Sequence, residues 1–512
     1  MNAGQKISNY LQQFKTQLLA SEWPQLSAHE EPPLRAELFS VEQMAQHGKA
    51  LAASHPLASG RAPDQLLARL AANEATLVEA CQLLTKAVTE NRVISPAGEW
   101  LLDNFYLIEE QICTAKRHLP KGYSRELPRL SHGPSAGRPR VYDIALEAVA
   151  HGDGRVDDET LSRFVAAYQT VTPLKIGELW AIPIMLRLAV IENLRRVAVL
   201  IAAGWVERSM AGRWADLMTE TAENDAKSLI LVIADMAHSN PPMTSAFVAE
   251  LARCLKGRGP ALALPLTWIE QRLAESGLTI DQLVQAENQQ QAADQVSISN
   301  SIGSLRMLGA MDWRDFVETM SVVEQTLRED PAGIYGRMDF ATRDRYRHAT
   351  ENLAKKGRFT EVEVARQAVE LAKAGMAGKA GRSGHVGFYL IDKGLPEIER
   401  AAEVLNSLND LLRRKLSRHP LLIYLGAIGL ITAILTGGFL ALAPVFAMPQ
   451  WAWLPITLLA VLASSQLAVA LVNWLATLLV TTKPLPRMDF STGIPSTFQT
   501  LGANHADQRC RH

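Results

Sequence analysis

The chain has 512 residues, with 52 Lys and Arg against 53 Asp and Glu and a net charge of −1, so no global charge excess points to nucleic acid. It exceeds the usual size of a single domain. Its four cysteines, Cys81, Cys113, Cys254 and Cys510, lie too far apart for a zinc or thioredoxin-like spacing and read as reduced cytosolic thiols.

Met1 to Glu22 alternates Gln, Lys, Ser and Asn with apolar residues and does not have the pattern of a signal peptide. Helical periodicity then dominates. Helices are expected over Gln65 to Glu90, Glu99 to Arg117, Glu159 to Thr170, Met185 to Ile201, Thr221 to Ala237, Thr244 to Lys256, Trp313 to Arg328, Thr360 to Ala374 and Pro396 to Leu416. In the fourth of these, Val190, Leu194, Val197 and Ile201 recur at helical spacing, while Arg187, Glu192, Arg195 and Arg196 rule out a membrane span. Strand-like alternation is scarce. Ser131 to Pro139, Asn240 to Pro242, Lys256 to Pro265 and the glycine-dense Gly375 to Gly387 read as loops.

Two long apolar runs follow. Leu421 to Ala443 and Leu454 to Val480 carry no charge, and each exceeds the roughly 20 residues needed to cross about 30 Å of hydrocarbon. Arg413, Arg414, Lys415 and Arg418 crowd the entry and Lys483 and Arg487 follow the exit, whereas the loop Pro444 to Trp453 has no Lys or Arg. The positive-inside rule then places both termini in the cytoplasm and Trp451 and Trp453 at the far interface, with the first span as targeting signal. The expected fold is mainly α: a multi-helix cytoplasmic body followed by a two-helix transmembrane hairpin. The divisions expected are an N-terminal helical region (1–130), a helical body (140–410), the hairpin (419–482) and a final stretch (483–512).

Chemistry-bearing motifs are few. Asp153-Gly154-Arg155-Val156-Asp157-Asp158 gathers three carboxylates, but its glycine and distal acid do not fall where a calcium loop needs them; a turn with Asp157 as N-cap is the plainer reading. Gly375-Met376-Ala377-Gly378-Lys379-Ala380 lacks the spacing of a phosphate loop and the following Ser or Thr. The segment from Arg337 to His348 concentrates Arg337, Arg343, Arg345 and Arg347, with Arg343 and Arg347 one helical turn apart, as a candidate contact for an anion such as a phosphate or carboxylate. The competing arrangement is a solvated helix face on which Asp339 and Asp344 pair with those arginines. The twelve histidines form no His-Glu-x-x-His, no Gly-x-Ser-x-Gly elbow is present, and Glu109 and Glu110 point in different directions on a helix. No catalytic, cofactor-binding or metal-binding residue is assigned.

Several blocks in order carry a resemblance. His118-Leu119-Pro120-Lys121-Gly122-Tyr123 with Glu126-Leu127-Pro128, Val141-Tyr142-Asp143-Ile144-Ala145, and Gly177 to Arg187 resemble the N-terminal region of bacterial cyclic β-1,2-glucan synthases, of the glycosyltransferase family 84 type. So do Met338 to Arg347, His385-Val386-Gly387-Phe388-Tyr389-Leu390-Ile391 and Met488-Asp489-Phe490-Ser491-Thr492-Gly493-Ile494-Pro495, the similarity running from Leu101 to Leu501.

The resemblance implies a large inner-membrane, multi-pass enzyme that takes glucose from UDP-glucose with Mg or Mn, builds a β-1,2-linked chain on itself, trims it by phosphorolysis and releases a ring for export. In that family the glycosyltransferase core, with its Asp-x-Asp and Gln-x-x-Arg-Trp motifs, begins after Asp-Phe-Ser-x-Gly-Ile-Pro. Here Gly502 to His512 is a polar tail without strand character, and Arg213-Trp214 lacks the preceding Gln. The expectation is a truncated, membrane-anchoring and non-catalytic part of such a synthase, inactive alone and using no cofactor of its own. Its partners would be the lipid bilayer and the remainder of the synthase or a glucan exporter, with UDP-glucose bound only through the missing domain and no nucleic acid bound. The alternative is a membrane-tethered regulatory or scaffold protein acting with a separately encoded glycosyltransferase. A carrier is disfavoured, since only Gln466 and Asn473 interrupt the spans.

Overall fold

The computed structural model describes residues 31–58, 63–120, 122–378, 381–404, 420–442, 453–479, 485–491 and 493. Its regular structure is helical. Among the described residues, β pairing is limited to isolated bridges: Leu57 with Leu130, Arg129 with Pro139 and Met338 with Met488. The chain divides into two compact units, one ending at Ser321 and one beginning at Val322.

The first unit contains α1 (Val41–Ser54), α2 (Leu66–Thr89), α3 (Pro96–Asp103), α4 (Phe105–His118), α5 (Arg140–His151), α6 (Asp158–Gln169), α7 (Ile176–Asn224), α8 (Leu229–Ser239), α9 (Ser245–Leu255), α10 (Ala263–Ala274), α11 (Ile280–Ala310) and α12 (Trp313–Met320). Helix α7, with 49 residues and a length of about 70 Å, is the spine. Its first half is apolar on nearly every face because α2, α4, α5 and α11 pack around it, burying Leu179, Ile182, Met185, Leu186, Val190 and Leu194. Its second half enters a separate apolar cluster, where Ala211, Trp214 and Met218 meet Val232, Phe247, Leu251 and Ile269 from α8, α9 and α10.

Three expected helices are broken, two of them by polar side chains that compete for backbone groups. Glu99 to Arg117 divides at Asn104, whose amide donates to the Trp100 carbonyl at 2.9 Å and accepts from Arg306 at 2.7 Å. Thr221 to Ala237 divides at Asp225, whose carboxylate takes the Lys227 N–H at 3.1 Å and the Ser228 hydroxyl at 2.7 Å to start a new turn. Trp313 to Arg328 divides at Ser321, which is extended at ψ 111.

The turn from Asp153 to Val156 is structural. Asp157 caps α6 by accepting the Thr160 N–H at 2.9 Å. Gly154 has φ +81, and a Cβ there would lie 2.4 Å from Ser301 Oγ, so glycine is required both by conformation and by space. The turn docks on a polar stripe of α11, with Ser304 Oγ donating to the Gly154 carbonyl at 2.7 Å and accepting the Val156 N–H at 2.8 Å.

The second unit contains α13 (Val322–Leu327), α14 (Phe340–Lys356), α15 (Glu361–Gly378), α16 (Val386–Ile391), α17 (Leu395–Ala401), α18 (Pro420–Leu442) and α19 (Trp453–Leu479). Helix α15 is central, packing on α13, α14, α16 and α17 through Val364, Ala365, Ala368, Val369 and Ala372, small residues that allow close approach.

Helices α18 and α19 pack on each other, and both are long and apolar enough to cross a membrane. Core helices of a soluble protein are mostly buried, whereas only 6% and 11% of the most apolar windows of this pair is covered. Leu421, Leu425, Leu430, Ile434, Phe439, Leu458, Leu462, Trp474 and Leu478 are exposed. One polar interruption is satisfied between the helices, the Tyr424 hydroxyl donating to Asn473 Oδ1 at 2.8 Å. The basic cluster Arg413 to Arg418, the loop to Trp451 and Lys483 lie outside the described residues.

Candidate functional site

In the second unit the arginine-rich segment becomes the end of a 3-10 turn and the first half of α14. Asp339 caps the helix by accepting the Thr342 N–H at 3.0 Å. Arg347, which the spacing placed on a helix face, is fully buried with Glu324, and its Nη1 donates to Glu324 Oε2 at 2.8 Å while Nη2 donates to Asp344 at 3.1 Å. Arg347 also lies over the Phe340 ring. Glu324 Oε2 accepts the Tyr335 hydroxyl at 2.6 Å, and Oε1 accepts Arg328 Nε at 2.9 Å. Arg343 approaches Oε1 at 3.6 Å and donates to the Met338 carbonyl at 2.6 Å. Burial, then the charge of Glu324, pushes the Tyr335 phenol far above its ordinary range, so it stays a donor. Arg343 and Arg347 therefore converge on an internal carboxylate. Arg337 is exposed and donates to the Gly333 carbonyl at 3.1 Å, and Arg345 is half-buried on the outer part of the same helix.

A second carboxylate organises the adjoining loop. Asp330 accepts from Ile334 N at 3.1 Å, Tyr335 N at 3.2 Å, Val386 N at 3.0 Å and His385 Nδ1 at 2.8 Å. Burial alone would raise its pKa, but the His385 and Val386 hydrogen bonds hold it below the carboxylate range. A Cβ on Gly387 would lie 2.4 Å from the Tyr346 hydroxyl, so any larger residue here would displace the buried Tyr346 ring.

The stretch after α19 closes onto the same place. Met338 and Met488 form an antiparallel bridge flanked by reciprocal hydrogen bonds, Asp339 N to the Arg487 carbonyl at 3.0 Å and Asp489 N to the Arg337 carbonyl at 2.9 Å. Arg487 N also donates to Thr342 Oγ1 at 3.0 Å. The paired sequences, Arg337-Met338-Asp339-Phe340-Ala341-Thr342 and Arg487-Met488-Asp489-Phe490-Ser491-Thr492, differ at one position. Three blocks remote in sequence, around 338–347, 385–391 and 487–491, thus meet in one structural node.

In the first unit the charges interrupting α7 form a buried cluster. Glu192 accepts from Arg69 at 2.5 and 2.9 Å, Asn73 at 2.7 Å, Arg195 at 3.1 Å and Arg196 at 2.9 Å. Glu31 bonds to Arg69 and Arg195, and Arg196 donates to the Pro32 carbonyl at 2.9 Å. Burial opposes ionisation of Glu192, but the Arg69 hydrogen bonds and the three guanidinium charges hold its pKa far below normal. A second buried pair, Arg140 with Glu178 at 2.6 and 2.7 Å, joins the start of α5 to the start of α7. An open groove of about 610 Å³ between α2 and the α3–α4 junction contains Cys81, whose thiol burial pushes up to about 12, a poor nucleophile at neutral pH. None of these partners was paired by sequence reasoning, and neither was a close cluster of His47, Glu147 and His151. The spacing of Glu147 and His151, one turn apart on α5, was the available signal.

Fold and node together define a helical protein with two adjacent helices of membrane-spanning length and apolarity, whose polar clusters hold it together internally. No family model matches the chain. It is 30% identical over 473 residues to the cyclic beta-(1,2)-glucan synthase NdvB of Rhizobium meliloti (strain 1021), an alignment covering 91% of this chain and 16% of that protein. The chain is thus similar to a partial region of a cyclic β-1,2-glucan synthase, as the sequence blocks implied.

Proposed function

We propose that this chain is the membrane-anchoring, non-catalytic N-terminal part of a cyclic β-1,2-glucan synthase system in the bacterial inner membrane. The observation that carries this reading is the match over 473 residues, 91% of the chain, to a cyclic beta-(1,2)-glucan synthase. In this reading α18 and α19 cross the bilayer as a hairpin with both ends in the cytoplasm. UDP-glucose and its divalent metal are handled by other regions of the synthase. The node at Met338 and Met488 supports an anchoring role, because it fastens the stretch leaving α19 to the helical unit that precedes α18 in the chain. The non-catalytic role is supported by chemistry: Arg343 and Arg347 are engaged with the buried Glu324, and Glu192 already gathers Arg69, Arg195 and Arg196.

Two measurements test the reading separately. Reporter fusions should place Asn409 and Asp489 in the cytoplasm and Pro449 in the periplasm; a periplasmic signal at Asn409 would overturn the anchoring topology. The chain purified in detergent, given radiolabelled UDP-glucose with Mg²⁺ or Mn²⁺, should incorporate no label and form no β-1,2-glucan. Label attached to the protein would show an active site within it and end the non-catalytic assignment.

A further inference from the structure

The first unit holds a cluster for which sequence reasoning made no provision. His47 projects from α1, and Glu147 and His151 project from the last turn of α5. His47 Nε2 lies 2.8 Å from Glu147 Oε2, His151 Nε2 lies 3.3 Å from the same oxygen, and all three atoms fall within 4.8 Å of one another. The His151 ring is fixed from two further directions. Phe39 stacks on it at 3.9 Å with planes 10° apart, and its Nδ1 is 2.7 Å from the Glu37 carbonyl oxygen.

That last contact sets the tautomer. A carbonyl only accepts, so Nδ1 carries the proton, and a neutral imidazole then presents a bare lone pair at Nε2. The lone pair faces Glu147 Oε2, another acceptor. Two acceptors at 3.3 Å need a positive centre between them, either a second proton on the ring or a metal ion. The His47 nitrogen on the same oxygen adds a third donor of the kind a metal uses.

We propose that His47 Nε2, Glu147 Oε2 and His151 Nε2 bind a divalent transition metal, zinc by preference, with solvent as the remaining ligand. With bonds of about 2.0–2.1 Å, tetrahedral ligands stand roughly 3.3 Å apart, so the two nitrogen–oxygen separations of 2.8 and 3.3 Å are near those of a bound ion, and the two histidine nitrogens, within 4.8 Å of each other, would draw in around it. A backbone carbonyl holding the far nitrogen of a ligating histidine is the usual outer support of such sites. His151 is the final residue of α5, where the negative end of the helix dipole favours a cation. Two nitrogens and one carboxylate suit zinc better than magnesium or calcium, which take oxygen ligands. The three ligands remain partly solvent-accessible, at 24%, 32% and 10% of their side-chain surface, which leaves a path for the ion and a place for water. The site would fasten α1 and the segment at Glu37 to the end of α5.

The test uses the full chain in detergent, purified without a histidine tag and stripped with chelator. Titration with Co²⁺ should give a visible d–d absorption of one equivalent, displaced by Zn²⁺ and not by Mg²⁺, and Zn²⁺ should raise the melting temperature. His151→Gln and Glu147→Gln should each weaken metal binding at least about tenfold. A variant with all four cysteines changed to Ser should keep the band, which separates this site from thiolate binding. Circular dichroism of the metal-free variants establishes that they are folded, and His47→Gln, which leaves α5 untouched, supplies an independent loss. Absence of a d–d band at micromolar Co²⁺ in the folded wild-type chain, or a band unchanged in all three ligand variants, would overturn the proposal.

Discussion

Each unit contains a buried carboxylate that gathers several arginines, Glu192 in the first and Glu324 in the second, but the two clusters are assembled differently. Glu192 draws Arg69 from 123 residues away and Asn73 from 119, so forming it requires the first unit to be folded around α7. Glu324 takes Tyr335 from 11 residues away and Arg347 from 23, within a single helix–loop–helix. A buried charge is costly to leave unpaired in either case. The difference lies in what each pairing fixes: Glu192 ties α2, α7 and the segment at Glu31 together, whereas Glu324 sets the local angle of α13 against α14.

The sharpest way to break the comparison is Glu192→Ala, which strands Asn73 and leaves Arg69, Arg195 and Arg196 with only the partly exposed Glu31. The expected loss is about 3–5 kcal/mol, with hydrogen-exchange protection falling across α2 and α7 together while α13 and α14 keep theirs. Acid should act in the same direction. The Glu192 pKa is depressed in the folded state, so its contribution is present above the unfolded carboxylate range and is lost as pH falls through the folded value. Circular dichroism followed from pH 7 downward should show the α2–α7 region weakening below about pH 4 and continuing to lose stability into strong acid. Unchanged protection in the variant would mean that the cluster is solvated rather than buried.

Arg347→Met should cost somewhat less, about 3 kcal/mol, because Glu324 keeps the Tyr335 hydroxyl and Arg328. Its effect should stay within α13, α14 and the Tyr335 turn, read by exchange at those amides. Loss of protection spreading into α2 or α7 would contradict the local character assigned to this cluster.

This contrast also explains what could be read from the sequence. The apolar runs of α18 and α19, the N-cap Asp157 and the middle of α7 follow from local pattern, because periodicity and caps are properties of neighbouring residues. The charges at Arg187, Glu192, Arg195 and Arg196 are visible interruptions of the apolar run, yet the Glu192 partners Arg69 and Asn73 are invisible without the fold. The arginine-rich stretch at Arg343 and Arg347 was visible, but nothing local announced that Glu324 would bury the second of them. Helix α11 was missed because its polar stripe of Ser297, Ser301 and Ser304, which receives Asn193 and the Gly154 turn, blurs the amphipathic period. Helix breaks at Asn104 and Asp225 came from side-chain hydrogen bonds that hydrophobic periodicity does not register.

The smallest effect should come from the outer face of α14, where His348 sits half-exposed between Asp344 at 3.4 Å and Glu351 at 3.0 Å. Hydrogen bonds from its ring to these two carboxylates, opposed by partial burial, push the His348 pKa up to about 10, and Glu351, held first by His348 and then by Lys355, lies at about 2. A raised histidine pKa contributes stability that is fully present below the unfolded value near 6.5 and is lost as pH rises through the folded value. NMR titration should therefore find the ring charged throughout neutral pH, in contrast with an exposed histidine. Because solvent screens a side chain that is 53% exposed, His348→Ala should change stability by no more than about 0.5 kcal/mol. A ring that titrates near 6.5 would show that the two acids do not hold it in solution, and would leave Lys355 as the partner of Glu351 on the outer face of α14.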